Sequence, residues 1–515
     1  MLFTPADLEQ FKQKGIDSKQ IERQLDLLKK GNQPVDILKP ATVNDGILQF
    51  TDEEKEYYKN FFETHKNSYS LQKFVPASGA ASRMFKDWIY FHDHYKPGKD
   101  FYKRFVKQHQ LESMPPEVED FLDEISGYAF YEDLMEAVKE NEPGFFQLDE
   151  NEQAWKFIHY ILSEEGLNYQ KLPKLALKFH RYGKNKSLTP AEEHVIEAMD
   201  HSLNDQQEAK IHFSISPAHE QLFKKIQKEL GNKYPVKIDY SFQKPSTDAI
   251  MMDEKQEIVR DEQGKIVFRP GGHGALLDNI QDLDADLIFI KNIDNVQKGE
   301  KKKDTLLYKK ILAGKLMELV KKRNEYLELL ENQKPVGKEL QEIEDFAKNE
   351  LNIRFIEGYE PLNNSGKRKY LYYKLNRPLR VAGMVKNTGE PGGGPFWALD
   401  KNSIKSLQII EKSQIDLNNP SQKKHFENST HFNPVDLVIH FKDSKGEKYD
   451  LKDFVNENTA FISNKTHGSK KVRVYEHPGL WNGSMDGWNT VFIEVPLSTF
   501  SPVKTVKDLQ KPAHF

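Results

Sequence analysis

Short apolar runs alternate with amphipathic segments along most of this chain. The runs that predict β-strands lie at residues 71–75, 209–216, 236–242, 287–290, 379–385, 435–441 and 491–495. Between them, apolar residues recur at spacings of three and four, which places them on one face of a helix. Strands that alternate with helices predict an α/β fold with a largely parallel sheet.

Three other segments have a helical pattern without strands. Residues 1–70 predict a polar N-terminal helical segment, which begins with Thr4 as N-cap and Pro5 in the first turn. Residues 85–171 are aromatic and charged, and they also predict helices. Residues 301–332 predict one long helix with an apolar stripe. This stripe favours an amphipathic helix packed on the protein body, and a dimerisation arm is the alternative.

Composition excludes several classes of function. The 515 residues include 75 Lys and Arg against 79 Asp and Glu, a formal net charge of −4, so no global basic field favours nucleic acid. The chain has no cysteine, which excludes disulfides, thiolate metal sites and a cysteine nucleophile. Its first residues lack the pattern of a signal peptide, and no apolar stretch is long enough to span a bilayer. We therefore predict a soluble cytoplasmic protein without nucleic-acid or membrane partners.

Residues 74–84 carry the most informative motif. A short apolar run enters a loop of small residues that ends in Ser-Arg-Met. Small side chains let backbone N–H groups approach an anion closely, and an arginine beside them clamps phosphate oxygens. The alternative interpretation is an ordinary turn of small residues. The anion-binding candidates are Ala77, Ser78, Gly79, Ala80 and Arg83.

Three further motifs follow along the chain. Lys174 comes directly after Pro173, in a turn before an apolar segment. Gln243 follows a predicted strand, and its amide can pair in two directions with a pyrimidine edge. Gly272 and His273 lie in a Gly-Gly-His-Gly sequence, where a glycine leaves room for a base beside the backbone. A plain glycine turn is the alternative for this last motif.

Candidate metal and sugar ligands also follow predicted strands. Asp294 comes after strand 287–290, and ligands bind at the carboxyl ends of strands in open α/β sheets. A carboxylate there suits Mg²⁺ that bridges triphosphate oxygens, and a simple Asp-Asn turn is the alternative. Asn387 and Glu390 lie in a Gly- and Pro-rich loop after strand 379–385. Their amide and carboxylate groups suit sugar hydroxyls, and a structural loop is the alternative.

Residues 500–509 complete a resemblance to a known family. Their sequence closely resembles the late F-x-P-V-K-T-x-x-D-L motif of eukaryotic-type UDP-glucose pyrophosphorylases, and residues 74–84 resemble the G-x-G-T-R-M loop of sugar-nucleotide pyrophosphorylases. The ordered motifs cover about residues 71–510 and resemble nucleotide-sugar pyrophosphorylases of the GT-A superfamily, the UDP-sugar branch most. The whole chain is similar to a bacterial domain-of-unknown-function family related to them. The resemblance implies a GT-A (Rossmann-like) nucleotidyltransferase core with a mostly parallel mixed sheet.

One feature departs from that family. The family's Pro-Lys pair follows its arginine after a few residues, whereas all of residues 84–173 lie between Arg83 and Lys174. Residues 85–171 are therefore interpreted as a helical insertion in the signature loop and a candidate lid. Lys86 is the nearer alternative for the lysine, but no proline precedes it.

The resemblance also implies a reaction and roles for the candidate residues. It implies that a sugar 1-phosphate is joined to UTP, or to another nucleoside triphosphate, with release of pyrophosphate and with Mg²⁺ as cofactor. Neither the sugar nor the oligomeric state follows from the sequence. The implied roles are catalytic for Arg83, Lys174 and Lys504, nucleotide-binding for Ala77, Ser78, Gly79, Ala80, Gln243, Gly272 and His273, sugar-binding for Asn387 and Glu390, and metal-binding for Asp294.

Three other functions and two side-chain assignments stay open. A GT-A glycosyltransferase needs an Asp-x-Asp metal motif, but residues 284–286 precede strand 287–290, which favours a turn. A non-catalytic nucleotide-sugar-binding protein is the alternative from another class. A metal hydrolase would use residues 92–94, His-Asp-His, although no further ligand cluster follows them. Glu192 and Glu193 are interpreted as a solvated helix start. The candidates for a second Mg²⁺ ligand are Asn482, Asp486 and Asn489.

Overall fold

The structure forms two compact units. The first unit contains Met1–Phe74, Ser241–Lys291 and Leu307–Leu497, and the second contains Val75–Tyr240, Asn292–Leu306 and Ser498–Phe515. The computed structural model describes residues 3–95, 101–110, 118, 121–183, 186–203, 207–389, 392–468 and 470–515.

α-Helices occur in both units, and several begin at caps that the sequence encodes. Thr4 accepts a hydrogen bond from the backbone of Asp7, and Thr189 caps a helix whose first residue is a proline. The described helices are Pro5–Lys14, Ser18–Lys30, Asp52–His65, Lys86–His94, Phe101–Gln108, Phe121–Glu124, Tyr131–Asn141, Glu150–Leu162, Pro190–Ser202, Glu220–Lys233, Leu277–Gln281, Lys303–Glu328, Lys338–Asp345, Asn364–Leu375 and Pro420–Glu427.

The strands include every one that the apolar runs predict. Each of these seven strands lies within two residues of its predicted bounds. The strands are β1 (Ile37–Pro40), β2 (Thr42–Val43), β3 (Gly46–Leu48), β4 (Leu71–Pro76), β5 (His180–Arg181), β6 (Ser187–Leu188), β7 (Ala209–Ile215), β8 (Val236–Phe242), β9 (Ala249–Asp253), β10 (Phe268–Arg269), β11 (Leu287–Lys291), β12 (Leu379–Lys386), β13 (Gly394–Leu399), β14 (Lys405–Ile410), β15 (His431–Phe432), β16 (Asp436–His440), β17 (Phe461–His467), β18 (Lys470–Glu476) and β19 (Asn489–Glu494).

The first unit contains a mixed sheet in the order β2–β3–β19–β12–β16–β11–β4. β16 runs antiparallel to both of its neighbours, and the other pairs in this order are parallel. All residues of β11 and all but the last of β12 are buried, which explains why these strands read as continuous apolar runs. The predicted α/β fold with a mostly parallel mixed sheet is confirmed.

Residues 1–70 differ from the predicted helical segment. They contain three helices, but β1, β2 and β3 lie between the second and the third of them. β3 pairs in parallel with β19, so this part of the chain belongs to the main sheet of the first unit. These strands have two to four residues each, too few for an alternating pattern to stand out in the sequence.

The second unit has a core of its own, built largely by residues 85–171. Buried aromatic residues of this segment pack in one apolar cluster with Val296, Val503, Val506 and Leu509. The cluster therefore joins the inserted helices to two segments that are distant in sequence, residues 292–306 and 498–515. In the same unit, the N–H of Ala77 donates to the carbonyl of Ser214 at the end of β7, at 2.9 Å.

The long helix Lys303–Glu328 buries its apolar stripe. Ile311, Leu312, Leu316 and Leu319 are fully buried within the chain, as expected for an amphipathic helix on the protein body. Among the described residues, no helix has the length and hydropathy needed to cross a membrane.

Candidate functional site

Lys174, Asp294 and Lys504 meet in the second unit and form what we call the lysine–aspartate cluster. The Nζ atoms of Lys174 and Lys504 lie 2.9 Å and 3.0 Å from the same oxygen, Oδ2 of Asp294. The side chains of Asp294 and Lys174 are 9% and 12% exposed, whereas that of Lys504 is 58% exposed. Three residues that the sequence assigned to one site are thus in contact, and one of them faces solvent.

The two lysines of this cluster stabilise the negative charge of Asp294. Burial raises the pKa of Asp294, but the attraction of Lys174 and Lys504 outweighs burial and holds that pKa below its usual value of 3.8. Burial lowers the pKa of Lys174, and the nearby carboxylate opposes this shift. With both lysines protonated, the cluster has a net positive charge that suits a phosphate group.

Asp294 retains one oxygen that fits a metal ion. Its Oδ1 atom is buried and has no hydrogen-bond partner among the described residues. An unpaired buried carboxylate oxygen is a hard ligand of the kind that Mg²⁺ takes. The described residues contain no group of three or more His, Asp or Glu side chains that could hold a metal ion. A metal here would therefore need phosphate oxygens and water to complete its coordination, as Mg²⁺ in nucleotide sites commonly does.

Residues 500–509 hold Lys504 beside Asp294 through backbone contacts. The N–H of Val503 donates to the carbonyl of Asp294 at 3.0 Å, and Pro502 bridges to Asn295. The carbonyl of Val503 accepts a hydrogen bond from Nζ of Lys174 at 2.7 Å. The same short segment thus contacts both the aspartate and the buried lysine of the cluster.

The fixed positions of the 500–509 motif have structural reasons. Oδ2 of Asp508 accepts hydrogen bonds from the backbone N–H groups of Lys504 and Thr505, at 2.8 Å and 2.7 Å. Thr505 and Asp508 also form a capping box for the short helix that follows. Val503 and Val506 are buried in the core of the second unit, so the motif anchors its own backbone and leaves the Lys504 side chain exposed.

Lys174 reaches the cluster because the chain returns to the small-residue loop. Pro173 forms an isolated β-bridge with Ala80, and the N–H of Lys174 donates to the carbonyl of Gly79 at 3.4 Å. Residues 84–173 therefore leave the loop and come back to it, which is what an insertion requires. Lys86, the alternative lysine, is exposed at the start of helix Lys86–His94.

The small-residue loop exposes most of its anion-binding candidates. Ala77 is buried, whereas Ser78, Gly79 and Ala80 are exposed. Arg83 is also exposed, and the carbonyl of the next residue accepts a hydrogen bond from the N–H of Val506 at 3.2 Å. The loop backbone is therefore tied to the segment that carries Lys504, while the phosphate contact of Arg83 stays a prediction.

In the first unit, Asn279 contacts the two residues directly before Gln243. Its Nδ2 atom donates to Oγ of Ser241 at 2.7 Å and to the carbonyl of Phe242 at 2.8 Å. Nε2 of Gln243 is buried and has no hydrogen-bond partner among the described residues. A buried amide donor without a partner is costly, so Gln243 is suited to a ligand with an acceptor group.

His273 braces a neighbouring loop. Its Nδ1 atom accepts a hydrogen bond from the N–H of Leu480 at 3.2 Å, and its ring lies 4.4 Å from that of Trp481. Burial lowers the pKa of His273 to about 4, so the imidazole is neutral at pH 7. The adjacent glycines have a structural reason too, since Gly272 has a φ of +79° and a Cβ on Gly274 would lie 2.0 Å from the carbonyl of Pro478.

We expect stability to depend on pH through His273. A histidine with a pKa of about 4 when folded and 6.5 when unfolded gains its proton on unfolding, so stability is lost as the pH falls from 6.5 towards 4. His273→Gln should reduce the loss of unfolding free energy between about pH 7 and about pH 4.5 by about 2 kcal/mol, measured by urea denaturation. The exposed His94→Gln is the control. An equal pH dependence in the wild type and in His273→Gln would contradict this interpretation.

The candidate sugar loop is only partly described. Asn387 is exposed, and its Oδ1 atom accepts a hydrogen bond from the N–H of Gly389 at 2.8 Å, which closes a local turn. Glu390 lies outside the described residues. Among the amides predicted as second metal ligands, Nδ2 of Asn482 donates to the carbonyl of Ile409 and Nδ2 of Asn489 to that of Lys374, while Oδ1 of Asn482 is buried without a hydrogen-bond partner among the described residues. Asp486 accepts a hydrogen bond from the N–H of Lys401 at 3.0 Å.

The residues that two alternative functions would use form local contacts. Asp286 forms an ion pair with Lys442 at 2.7 Å directly before β11. His92 pairs with His159 at 3.0 Å and stacks on Trp155 within the inserted helices. Among the described residues these histidines belong to no group of three or more potential metal ligands.

Comparison with known proteins assigns nearly the whole chain to one family model. The model of a domain of unknown function, DUF4301, matches residues 4–515. A comparison with curated proteins found no match.

Several solved structures are similar at low sequence identity. A mutant UDP-glucose pyrophosphorylase of Leishmania major in complex with UDP-glucose shares 11% identity over 98% of this chain and 78% of that chain, with a TM-score of 0.43. The uridine diphosphate N-acetylglucosamine pyrophosphorylase of Trypanosoma brucei in complex with an inhibitor shares 10% identity over 98% of this chain and 76% of that chain, with a TM-score of 0.48. A UDP-glucose phosphorylase of Trypanosoma brucei shares 13% identity over 98% of this chain and 77% of that chain, with a TM-score of 0.45. Because these TM-scores are below 0.5, function is inferred from the motifs and side chains of this chain itself.

Proposed function

This chain belongs to the DUF4301 family, a domain of unknown function, and we propose that it is a nucleotidyltransferase that joins a sugar 1-phosphate to UTP. The observation that carries this proposal is the lysine–aspartate cluster beside a loop of small residues. Lys174 and Lys504 supply two ammonium groups, and Oδ1 of Asp294 supplies an unpaired carboxylate oxygen. The order of the motifs along the sequence, which resembles that of UDP-sugar pyrophosphorylases, supports the choice of reaction.

In the proposed reaction, a phosphate oxygen of the sugar 1-phosphate attacks the α-phosphorus of UTP. A new P–O bond forms, the bond between the α-phosphorus and the bridging oxygen breaks, and pyrophosphate leaves with that oxygen. The nucleophile is already an anion, so no general base is required. What the protein must do is reduce the repulsion between anions and hold the attack in line.

The two lysines are suited to different parts of this task. Nζ of Lys174 already donates to Asp294 and to the carbonyl of Val503, which leaves one of its three hydrogens for a phosphate oxygen. Lys504 has one contact in the cluster and is largely exposed, so it can turn towards an incoming phosphate. We assign Lys174 and Arg83 to the triphosphate and Lys504 to the sugar phosphate or the α-phosphate.

Mg²⁺ is the cofactor that we propose for this site, held by Asp294. When bound, it would offset negative charge on the phosphate oxygens. The assignments of Gln243, Gly272 and His273 to the nucleotide base and of Asn387 and Glu390 to the sugar remain predictions from the resemblance. The hydrogen bond that His273 accepts from the N–H of Leu480 favours a bracing role for that residue.

A coupled assay tests the proposed reaction. With UTP, Mg²⁺ and a panel of sugar 1-phosphates, we expect one substrate pair to release pyrophosphate and to form an equal amount of UDP-sugar. Omission of the sugar phosphate should abolish product because it removes the nucleophile. Addition of EDTA should also abolish product because it removes the metal. Release of free UDP from a UDP-sugar would instead indicate a glycosyltransferase. Binding of UDP-sugar without any turnover would indicate a non-catalytic binding protein.

A further inference from the structure

Helix Pro190–Ser202 buries ionisable side chains that the proposed reaction does not use. Glu193, His194 and His201 are 2%, 0% and 1% exposed. The interpretation of Glu192 and Glu193 as a solvated helix start is therefore wrong, since Glu192 is only 8% exposed as well. Burial of a carboxylate is costly unless hydrogen bonds compensate it, so the partners of these side chains indicate their role.

His194 contacts the start of the segment that carries Asp294. We call residues 292–299, which follow β11, the Asp294 loop. Nε2 of His194 lies 3.1 Å from the carbonyl oxygen of Asn292 and 3.2 Å from that of Ile293. Because carbonyl oxygens only accept hydrogen bonds, Nε2 carries the proton and donates to both. The imidazole thus fixes the two residues directly before Asp294.

Glu193 contacts the other end of the Asp294 loop through Tyr182. The hydroxyl of Tyr182 donates to Oε1 of Glu193 at 2.8 Å and accepts a hydrogen bond from the N–H of Gly299 at 2.7 Å. Burial, together with the charge of Glu193, raises the pKa of Tyr182, so the hydroxyl keeps its proton. Two adjacent residues of one helix therefore hold both ends of the same loop.

A second branch from Glu193 leads to the segment that carries Lys504. Nδ1 of His180 lies 2.7 Å from Oε1 of Glu193, and Nε2 of His180 lies 2.9 Å from Nδ1 of His514. Since a carboxylate oxygen accepts, Nδ1–H of His180 donates to it, and in that tautomer Nε2 of His180 accepts a hydrogen bond from Nδ1 of His514. Burial, and next the neighbouring His180, lower the pKa of His514 to about 3, which agrees with this arrangement.

We propose that Glu193, His194 and Tyr182 are positioning residues that hold Asp294 between the two lysines. Their contacts fix both ends of the Asp294 loop. The backbone N–H of Lys298 also donates to the carbonyl of Ala513 at 2.9 Å, which holds the loop against residues 498–515. The kinetic part of this inference rests on the proposed function. A displacement of about 1 Å in a catalytic group can cost about 10²-fold in rate, so the hydrogen bonds of this buried network control turnover without touching substrate.

Tyr182→Phe tests the inference by removing one hydroxyl and keeping the ring. We expect kcat for pyrophosphate release to fall about tenfold or more and KM for UTP to change less than about twofold, because the binding groups remain and only their alignment is lost. Hydrogen exchange of amides in residues 292–299 should become at least about tenfold faster. Glu193→Gln keeps an acceptor oxygen and should restore most of the rate that Glu193→Ala loses.

The matched control is Tyr449→Phe in the first unit. The Tyr449 hydroxyl also makes one side-chain hydrogen bond, to Oδ1 of Asn376 at 2.7 Å. This variant should leave the exchange of residues 292–299 unchanged. The inference would be overturned if residues 292–299 exchanged as slowly in Tyr182→Phe as in the wild type. It would also be overturned if exchange became faster in an active enzyme and kcat did not change. If the wild-type protein itself releases no pyrophosphate, faster exchange in Tyr182→Phe would still support the link from the network to the loop. The missing activity of the wild type would then contradict the proposed function.

Discussion

Replacement of Lys174 by methionine is expected to lower kcat for pyrophosphate release by about 10²- to 10³-fold, on the scale of one lost oxyanion donor. The ammonium group of Lys174 is 2.9 Å from Asp294, and no other lysine contacts the cluster from the buried side among the described residues. Methionine has a similar length and no charge, so the change removes the donor and keeps most of the packing. Steady-state kinetics with the active substrate pair measure the effect.

Lys178→Met is the matched control for this prediction. Lys178 lies four residues further along the same segment and pairs with Asp133 at 2.8 Å in the same unit. Its side chain and that of Asp133 are 36% and 37% exposed, so loss of this pair should change stability by less than about 1 kcal/mol and leave kcat unchanged. An unchanged kcat in Lys174→Met would show that Lys174 is not the phosphate-binding lysine.

The sequence allowed the cluster to be predicted because its members occur in recognisable local patterns. Lys174 follows a proline, Asp294 comes shortly after a buried strand, and Lys504 lies in a motif whose apolar and capping residues are regularly spaced. Each pattern fixes a local structure, and the resemblance supplied the expectation that the three meet. That both lysines bind one oxygen of Asp294 was not predicted, since such a contact depends on tertiary distances that no local pattern encodes.

The burial of Glu193 and His194 could not be predicted for a related reason. Acidic residues in the first turn of a helix are favoured by the helix dipole at solvated helix starts, which is the interpretation that their pattern supports. Here tertiary packing places them inside the second unit, where Oε1 of Glu193 accepts hydrogen bonds from Tyr182 and His180. One signal was available in hindsight: His180 and Tyr182 lie in a short segment with polar and aromatic residues close to the helix.

The glycine turn of the first unit shows how a functional and a structural interpretation can apply to neighbouring residues. The sequence assigned both Gly272 and His273 to the nucleotide. In the structure the absence of a side chain at Gly274 admits the backbone of Pro478, and His273 binds the N–H of Leu480. Gln243 keeps an unpaired buried amide and therefore stays the stronger candidate for a ligand contact.

Asp294→Asn should separate the two roles of the aspartate. The amide has the same shape, but it lacks the charge that holds Lys174 and Lys504 and that would bind Mg²⁺. We expect Mg²⁺-dependent turnover to fall by about 10²-fold or more, since a metal site without its carboxylate loses the main protein ligand. The Asp133→Asn change in the Lys178 pair is the control and should leave turnover unchanged.

Binding of pyrophosphate in the presence of EDTA gives the second measurement on Asp294→Asn. In the wild type the carboxylate competes with a phosphate anion for both lysines, and a unit charge about 5 Å away is worth about 3 kcal/mol at an effective dielectric constant of about 20. Without that charge, the variant should bind metal-free pyrophosphate at least about tenfold more tightly by calorimetry, although it is nearly inactive. Weaker binding of pyrophosphate by the variant would mean that Asp294 mainly holds the two lysines in place and does not compete with phosphate for them. That result would contradict the phosphate site proposed for the cluster.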